Sequence, residues 1–200
     1  MSLKGKTIGW GVCGSHCSYD EVLPQVERLI GMGARVVPVM SHTAVTTETR
    51  FGKGENLARL LEEMTGNKPI TSIVDAEPTG QRKTFDCFVV APMTGNTLAK
   101  WANAFTDTPV LMAAKGTLRN LRPVVLAIST NDALGNNAPN IGKLLNTKWV
   151  YFVPFGQDNP EEKPNSCVAD FHRIPETIVE ALNGRQLQPV LIERARRKVR

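Results

Sequence analysis

No apolar run in this chain approaches the ~20 residues that a membrane-crossing helix needs; runs such as Val124-Val125-Leu126-Ala127-Ile128 have the length of a strand. The start, Met1-Ser-Leu-Lys-Gly-Lys6, leads towards a strand without the basic, apolar and cleavage segments of a signal peptide, so a cytosolic chain without membrane attachment is expected. Cysteine is sparse and unpaired in its spacing. Cys13, Cys17, Cys87 and Cys167 form neither a disulfide framework nor a zinc ribbon, and Cys13-x-x-His16-Cys17 has no second cluster to complete a tetrahedral site. Reduced thiols and no resident metal are the expectation. The chain also lacks a basic surface. Residues 193–200 carry +4 of the formal net charge of +5, which leaves the rest of the chain at +1 and argues against nucleic-acid binding.

What is present is the alternation of apolar runs with amphipathic stretches that marks an α/β fold. Two hundred residues, 42% hydrophobic and 22% charged, suit a single domain, here residues 1–190, with 191–200 as a basic tail. Strands are expected at Thr7–Cys13, Ala34–Met40, Ile70–Val74, Phe85–Ala91, Pro123–Ile128 and finally Trp149–Val153. The Phe85–Ala91 run is continuous enough to be a buried central strand. A helix follows Ser18 or Asp20, either of which can cap it, with Val22, Leu23, Val26, Leu29 and Ile30 on one face. Further helices are expected at 56–64, through 101–104, at 110–118 behind the Thr108-Pro109 cap, at 141–145 and at 174–182. Residues 75–84 read as a polar surface loop and 156–170 as a mobile loop or lid. The architecture these imply is a flavodoxin-like three-layer α/β/α sandwich around a parallel sheet.

In such a sheet ligands bind at the carboxyl ends of strands. Four strand ends carry small hydrogen-bonding residues: Gly11-Val12-Cys13-Gly14-Ser15, Ser41 to Thr43, Thr94-Gly95-Asn96-Thr97, and Ser129 to Asn131. Glycines let backbone approach an anion, helix N-termini aim N–H groups at it, and hydroxyls add donors without charge. Their convergence points to a phosphate-bearing cofactor, although any one of these loops alone makes an ordinary cap or turn. Gly9-x-Gly11-x-x-Gly14 matches the dinucleotide fingerprint in letters, but Gly9 falls within the strand. Ser41 also ends the second strand where an acidic ribose ligand is usual, so a mononucleotide suits better. Of three histidines, His16 stands in a ligand-facing loop and outranks His42 for proton transfer, while His172 is placed to orient the last helix. Arg122 and Lys115 can pair with a dicarboxylate or stay solvated, and Trp101 and Trp149 suit the core or a subunit contact.

These residues resemble the flavoprotein group that contains the homo-oligomeric flavin-containing cysteine decarboxylases and the flavin prenyltransferases. Ala91-Pro-Met-Thr-Gly-Asn-Thr97 is similar to their PASANT segment, with Pro92, Asn96 and Thr97 retained, and Gly11-Val-Cys-Gly14 is similar to their GASG flavin loop. Val39 to Ala44 resembles their second-strand serine loop. The resemblance spans roughly residues 5–185 and implies an FMN site at Gly11–Ser15, Ser41, Thr94–Thr97 and Ser129, with homo-oligomeric assembly. It implies a substrate or flavin contact for Asn96, and a proton-donating role for Cys167, which falls where some decarboxylases carry a lid cysteine. The decarboxylases' catalytic histidine has no counterpart, since residues 70–84 contain none, and of their PxMNxxMW stretch Asn131 is retained. The stretch Gly9 to Cys17 is most similar to a branch serving sporulating bacteria in the mother-cell cytosol. Members of that branch work with a separate subunit that uses NADP or NAD, oxidising a small dihydropyridine dicarboxylate. Such an oxidoreductase subunit, with His16 as base, is the leading expectation. An independent FMN-dependent decarboxylase or prenyltransferase, and a non-catalytic scaffold, are the alternatives.

Overall fold

The computed structural model describes residues 2–49 and 52–192. In chain order it contains β1 (Thr7–Val12), a 3-10 turn at His16–Ser18, α1 (Tyr19–Gly31), β2 (Arg35–Met40), α2 (His42–Thr46), β3 (Glu48–Thr49), β4 (Gly52–Lys53), α3 (Gly54–Thr65) and α4 (Ile73–Gln81). There follow β5 (Cys87–Met93), α5 (Gly95–Ala102), α6 (Pro109–Arg119), β6 (Val124–Thr130), α7 (Ala138–Leu145), β7 (Val150–Phe152), β8 (Phe155–Gln157) and β9 (Cys167–Ala169). A second 3-10 turn at Phe171–Arg173 leads into α8 (Ile174–Leu182). The basic tail expected at 191–200 falls, from 193 on, outside the described residues.

The parallel strands run β2-β1-β5-β6, with β7 beside the first half of β6. This is the doubly wound order whose direction reverses between β1 and β5, so the loops leaving those strands diverge and open a crevice there. β5 is buried along all seven residues, as a strand covered on both faces must be. Its ladder to β6 shifts register between Val90 and Met93, where Pro92 has no N–H to donate. Gly9 and Gly11 lie inside β1, and the reason they are glycine is packing. A Cβ on Gly9 would collide with Phe88 and lie 2.9 Å from Phe85 Cγ, and one on Gly11 would lie 2.9 Å from Val110 Cγ1 of α6. The helices flank this sheet. α1 packs on α8 and on β2 and β5, whereas α6 packs over β1, β2, β5 and β6 and carries α4 against it.

Local chemistry accounts for the ends of several helices. Thr108 Oγ1 accepts from Leu111 N at 3.2 Å, with Pro109 supplying the preset first turn of α6. Gly66 closes α3 in the left-handed region at φ 65°. Ser18 does precede α1, but its side chain makes no cap bond and is turned elsewhere.

The flavodoxin-like sandwich expected from the sequence is found, its sheet mostly parallel with one antiparallel edge: β9 runs antiparallel to the end of β6, pairing Val168 with Ser129 and Cys167 with Thr130, and β8 runs antiparallel to β9. Several local expectations are corrected. Residues 156–170 therefore hold two strands instead of one mobile lid, and β7 is not the last strand. Ile70 makes only an isolated bridge to Val39, and the segment read as a strand end and polar loop is α4. Its N-terminus is capped by Ser72 Oγ, which accepts from Asp75 N at 3.1 Å. Pro78 and Gly80 make α4 a poor helix by propensity. It is held by contact, since a Cβ on Gly80 would lie 2.7 Å from Gly116 Cα of α6. Finally, Ser41 to Thr43 is no open loop: Ser41 Oγ caps α2 by accepting from Ala44 N at 3.2 Å.

Candidate functional site

The crevice at the switch point is a cleft of about 540 Å³, within the ~300–1,000 Å³ typical of small-molecule sites. The loop after β1 contributes Gly14, Ser15 and Cys17, and the start of α5 contributes Thr94, Gly95 and Asn96. The end of β6 contributes Ser129 to Asp132, and the β8–β9 hairpin contributes Asp158, Lys163, Ser166 and Val168.

A clasp of hydroxyls joins two of these walls. Ser15 Oγ donates to Ser129 Oγ at 2.9 Å, and Ser18 Oγ lies 3.0 Å from the same oxygen. Thr94 caps α5: its Oγ1 accepts from Thr97 N at 3.2 Å and donates to Thr97 Oγ1 at 3.0 Å. Because Thr94 takes the cap, Asn96 is exposed on the first turn, its amide without a partner among the described residues. Gly95 is packed hard against the end of β6. A Cβ there would collide with Thr130 Oγ1 and sit 2.6 Å from Asp132 Oδ1 and 2.9 Å from Asn137 Nδ2.

Asp132 is fixed at both carboxylate oxygens, by Thr130 Oγ1 and by Asn137 Nδ2 (2.8 Å). The line of amides continues outward, with Asn140 Nδ2 donating to Asn137 Oδ1 at 2.9 Å and Asn103 Nδ2 to Asn140 Oδ1 at 3.3 Å. Asp158 Oδ1, also at the cleft, is buried without a hydrogen-bond partner among the described residues. Lys163 is the cation among the cleft-lining residues.

The structure sorts the residues expected at the site. Gly14, Ser15, Thr94, Gly95, Asn96 and Ser129 are brought together at the cleft. Gly11 and Val12 are not: both are buried strand residues, and Gly11 serves the close approach of α6. Cys13 is buried beneath the site. Burial pushes its thiol up to about 11, against the opposing effect of hydrogen bonds with the Thr97 side chain and Thr94 backbone, and its carbonyl accepts from Tyr19 Oη at 2.8 Å. Ser41 is the buried cap of α2 and Thr97 a buried hydroxyl in the first turn of α5, and neither lines the cleft. Cys167 lies within β9, 2% exposed, and not on a lid; burial, then the charge of Asp158, raises its thiol.

His16 turns the other way. It lines a neighbouring cleft of about 280 Å³ with Tyr19, Lys53 and Asn56, with its ring edge-on to Tyr19 at 5.2 Å. Burial lowers its pKa. His42 is exposed on α2. His172 Nδ1 lies 3.4 Å from Gln25 Nε2 ahead of α8, consistent with an orienting part. Arg122 is taken up by structure, donating to the carbonyls of Lys83 (2.7 Å) and Phe85 (2.6 Å). Lys115 lines a separate apolar groove beside Trp101. Sequence reasoning missed Asp132, Asp158, Lys163 and Ser166. Asp132 stood next to the retained Asn131, but the others lie on a hairpin whose three-residue strands leave no period to read.

Among the described residues no helix is long and apolar enough to cross a membrane, and no group of three His, Cys, Asp or Glu side chains is gathered to hold a metal ion. The Flavoprotein family model matches residues 1–184. The B subunit of dipicolinate synthase from Bacillus subtilis (strain 168) is 55% identical over 192 residues, 96% of each chain. A crystal structure of the dipicolinate synthase B subunit from Bacillus halodurans superposes with a TM-score of 0.90 at 55% identity, over 98% of this chain and 100% of that one. The FMN-binding protein AtHal3 shares the fold at 16% identity, with a TM-score of 0.59 over 88% of this chain and 96% of its own.

Proposed function

The chain belongs to the Flavoprotein family, and on that premise we propose that it is the B subunit of a dipicolinate synthase. It acts with a nicotinamide-dependent A subunit, using NADP or NAD, to oxidise dihydrodipicolinate to dipicolinate. The observation that carries this is full-length likeness: 55% identity across 96% of the Bacillus subtilis B subunit, which leaves no room for an inserted domain that would build a different site. Sporulation in the mother-cell cytosol and homo-oligomeric assembly belong to the same proposal.

The cleft residues fit FMN. Its walls carry neutral hydroxyls (Ser15, Ser129 and Thr94) that are paired within the chain and keep acceptor capacity for a ribityl hydroxyl, and the side-chain amide of Asn96 offers a donor to a phosphate. A flavin held there would supply two-electron redox chemistry beside the substrate. Aromatising a dihydropyridine removes a hydride from ring carbon, which the nicotinamide of the A subunit receives, and a proton, which a base receives. This chain's part is to hold the ring flat between α5 and the β8–β9 hairpin and to keep bulk water from it. Asn96 and Lys163 face the substrate carboxylates. His16 opens on the adjoining cleft, so its proton exchange is with solvent or the partner chain. Cys167, buried and with a raised thiol pKa, is a reserve of the packing and not a ready proton donor.

The test is reconstitution. Formation of reduced nicotinamide and dipicolinate should require both subunits, and Asn96→Ala should lower the rate of the pair. An A subunit that turns over equally fast alone, or decarboxylation of cysteine-containing peptides by this chain, would contradict the assignment.

A further inference from the structure

Away from the cleft, the C-terminal ends of α5, α6 and α7 enclose a groove of about 530 Å³. Its apolar lining includes Trp101, Leu144 and Phe105, and Phe105 is left 56% exposed beside it. The charge at the groove is of one sign. Lys115, Arg119 and Lys143 line it, no acid does, and none of the three cations forms a salt bridge among the described residues. Asp107, just beyond Phe105, is taken up by Lys100 at 2.6 Å. An apolar floor ringed by unpaired cations is the complement of an apolar knob that carries carboxylates.

The chain presents such a knob. Val74, at the start of α4, is 77% exposed, the most of any large apolar side chain among the described residues, and Ile73 beside it is exposed as well. Two β-branched residues in the open first turn of a helix contribute neither propensity nor burial. Asp75 and Glu77 follow, both exposed and in no salt bridge among the described residues. Asp75 Oδ2 accepts from Ser72 Oγ at 2.6 Å, which leaves its other oxygen for a further donor. The opposite face of α4, with Ala76, Thr79 and Gly80, is buried, and the Gly80–Gly116 crossing fixes the helix against α6. Lys115 and Arg119 form a ridge between knob and groove. They line the groove on one side and a small cavity with Glu77 on the other, where Glu77 reaches neither as an ion pair. Because knob and groove flank one ridge, a two-fold axis near α6 brings each knob to the other chain's groove in a closed contact.

We propose that a second copy of this chain occupies the groove. The Ile73–Val74 turn of each copy seats among Trp101, Phe105 and Leu144 of the other, with Asp75 and Glu77 against Lys115, Arg119 and Lys143. This rests on the homo-oligomeric part of the function proposed above and on nothing bound in the cleft. Both halves of the contact stand on one chain, alike in apolar character and opposite in charge, which singles out a second copy over an unrelated partner.

Native full-length protein is compared by sedimentation velocity, over a concentration series, with two double variants: Lys115→Glu/Arg119→Glu in the groove and Asp75→Lys/Glu77→Lys in the knob. Circular dichroism reports whether each is folded, and the single variants Lys143→Glu and Asp75→Lys stand in for a double variant that is not. Each variant alone sets like charge against like, so self-association about a hundredfold weaker than native is expected. An equimolar mixture sets acidic grooves against acidic-to-basic reversed knobs, and native grooves against native knobs, so the mixture should regain the native mass. Mixing cannot relieve a defect inside one chain, so recovery reports the contact itself. Folded variants that keep the native mass, or that stay dissociated when mixed, overturn the proposal. In the first case the homo-oligomeric reading stands and this surface alone falls. Native protein of single-chain mass at every concentration sinks both, while turnover with the A subunit is read separately and bears on the activity alone.

Discussion

Ser15 Oγ donates to Ser129 Oγ at 2.9 Å across 114 positions of chain, which ties the loop after β1 to the last turn of β6 at the mouth of the cleft. Ser18 reaches the same oxygen from the other side, so three hydroxyls from two distant segments share one buried point. Ser129→Ala removes its centre. The expected result is a loss of about 1 kcal/mol of unfolding free energy in urea together with weaker FMN binding. A variant matching the native protein in both would show that the clasp is incidental.

Gly95 is the position where the site tolerates no side chain. Gly95→Ala drives a methyl into Thr130, Asp132 and Asn137 and should destabilise the protein by about 1–3 kcal/mol while abolishing ligand uptake. Gly31→Ala is the control. No atom lies within 4 Å of a Cβ there, at the end of α1, and the φ is not left-handed. It should be neutral or stabilise by about 0.4–1 kcal/mol. Equal behaviour of the two variants in calorimetry would contradict the packing described.

The cysteines should separate by reactivity. Cys17 is exposed, whereas Cys13, Cys87 and Cys167 are buried and burial raises the thiol pKa of each, that of Cys13 to about 11. A thiol reagent at mildly alkaline pH should modify Cys17 alone in the native state and all four cysteines in denaturant. Rapid native modification of Cys167 would restore the lid that the structure replaces with a strand.

His16 makes a prediction of defined sign. Burial lowers its pKa below the ordinary 6.5, so the unfolded chain binds the proton more readily. Its contribution to stability is whole above pH 6.5 and is lost as pH falls through that value towards the lowered folded pKa. The NMR titration of the His16 ring should have its midpoint below 6.5, and His16→Gln should flatten this part of the stability profile. A midpoint above 6.5 would mean that a carboxylate such as Asp20 governs the ring instead.

How far the sequence can be read depends on whether a segment's fate is set locally. β5 is visible because seven consecutive buried residues leave no polar interruption, and α6 because Thr108 and Pro109 carry a cap in their own chemistry. The helix α4 is invisible because Pro78 and Gly80 oppose it, and what holds it is the crossing with Gly116, thirty-six positions away. The hairpin β8–β9 reads as a lid because its three-residue strands are separated by the polar run 158–166. At the site, the strand-end loops are legible as a set. The turn of one residue is not: within Gly14–Cys17, neighbours of His16 face the flavin-sized cleft while His16 itself faces the adjoining one. Asp132 belongs to the same class, since its fixing by Asn137 depends on how the turn after β6 folds back.

The central claim is that the cleft between β1, β5 and β6 holds a flavin, and the most direct measurement is a visible spectrum of the purified full-length chain after FMN is added and gel filtration has removed what is unbound. The account predicts a flavin band that stays with the protein in native form and is lost in Gly95→Ala. A colourless native protein after filtration would contradict it, and would leave the cleft as a pocket for the substrate alone.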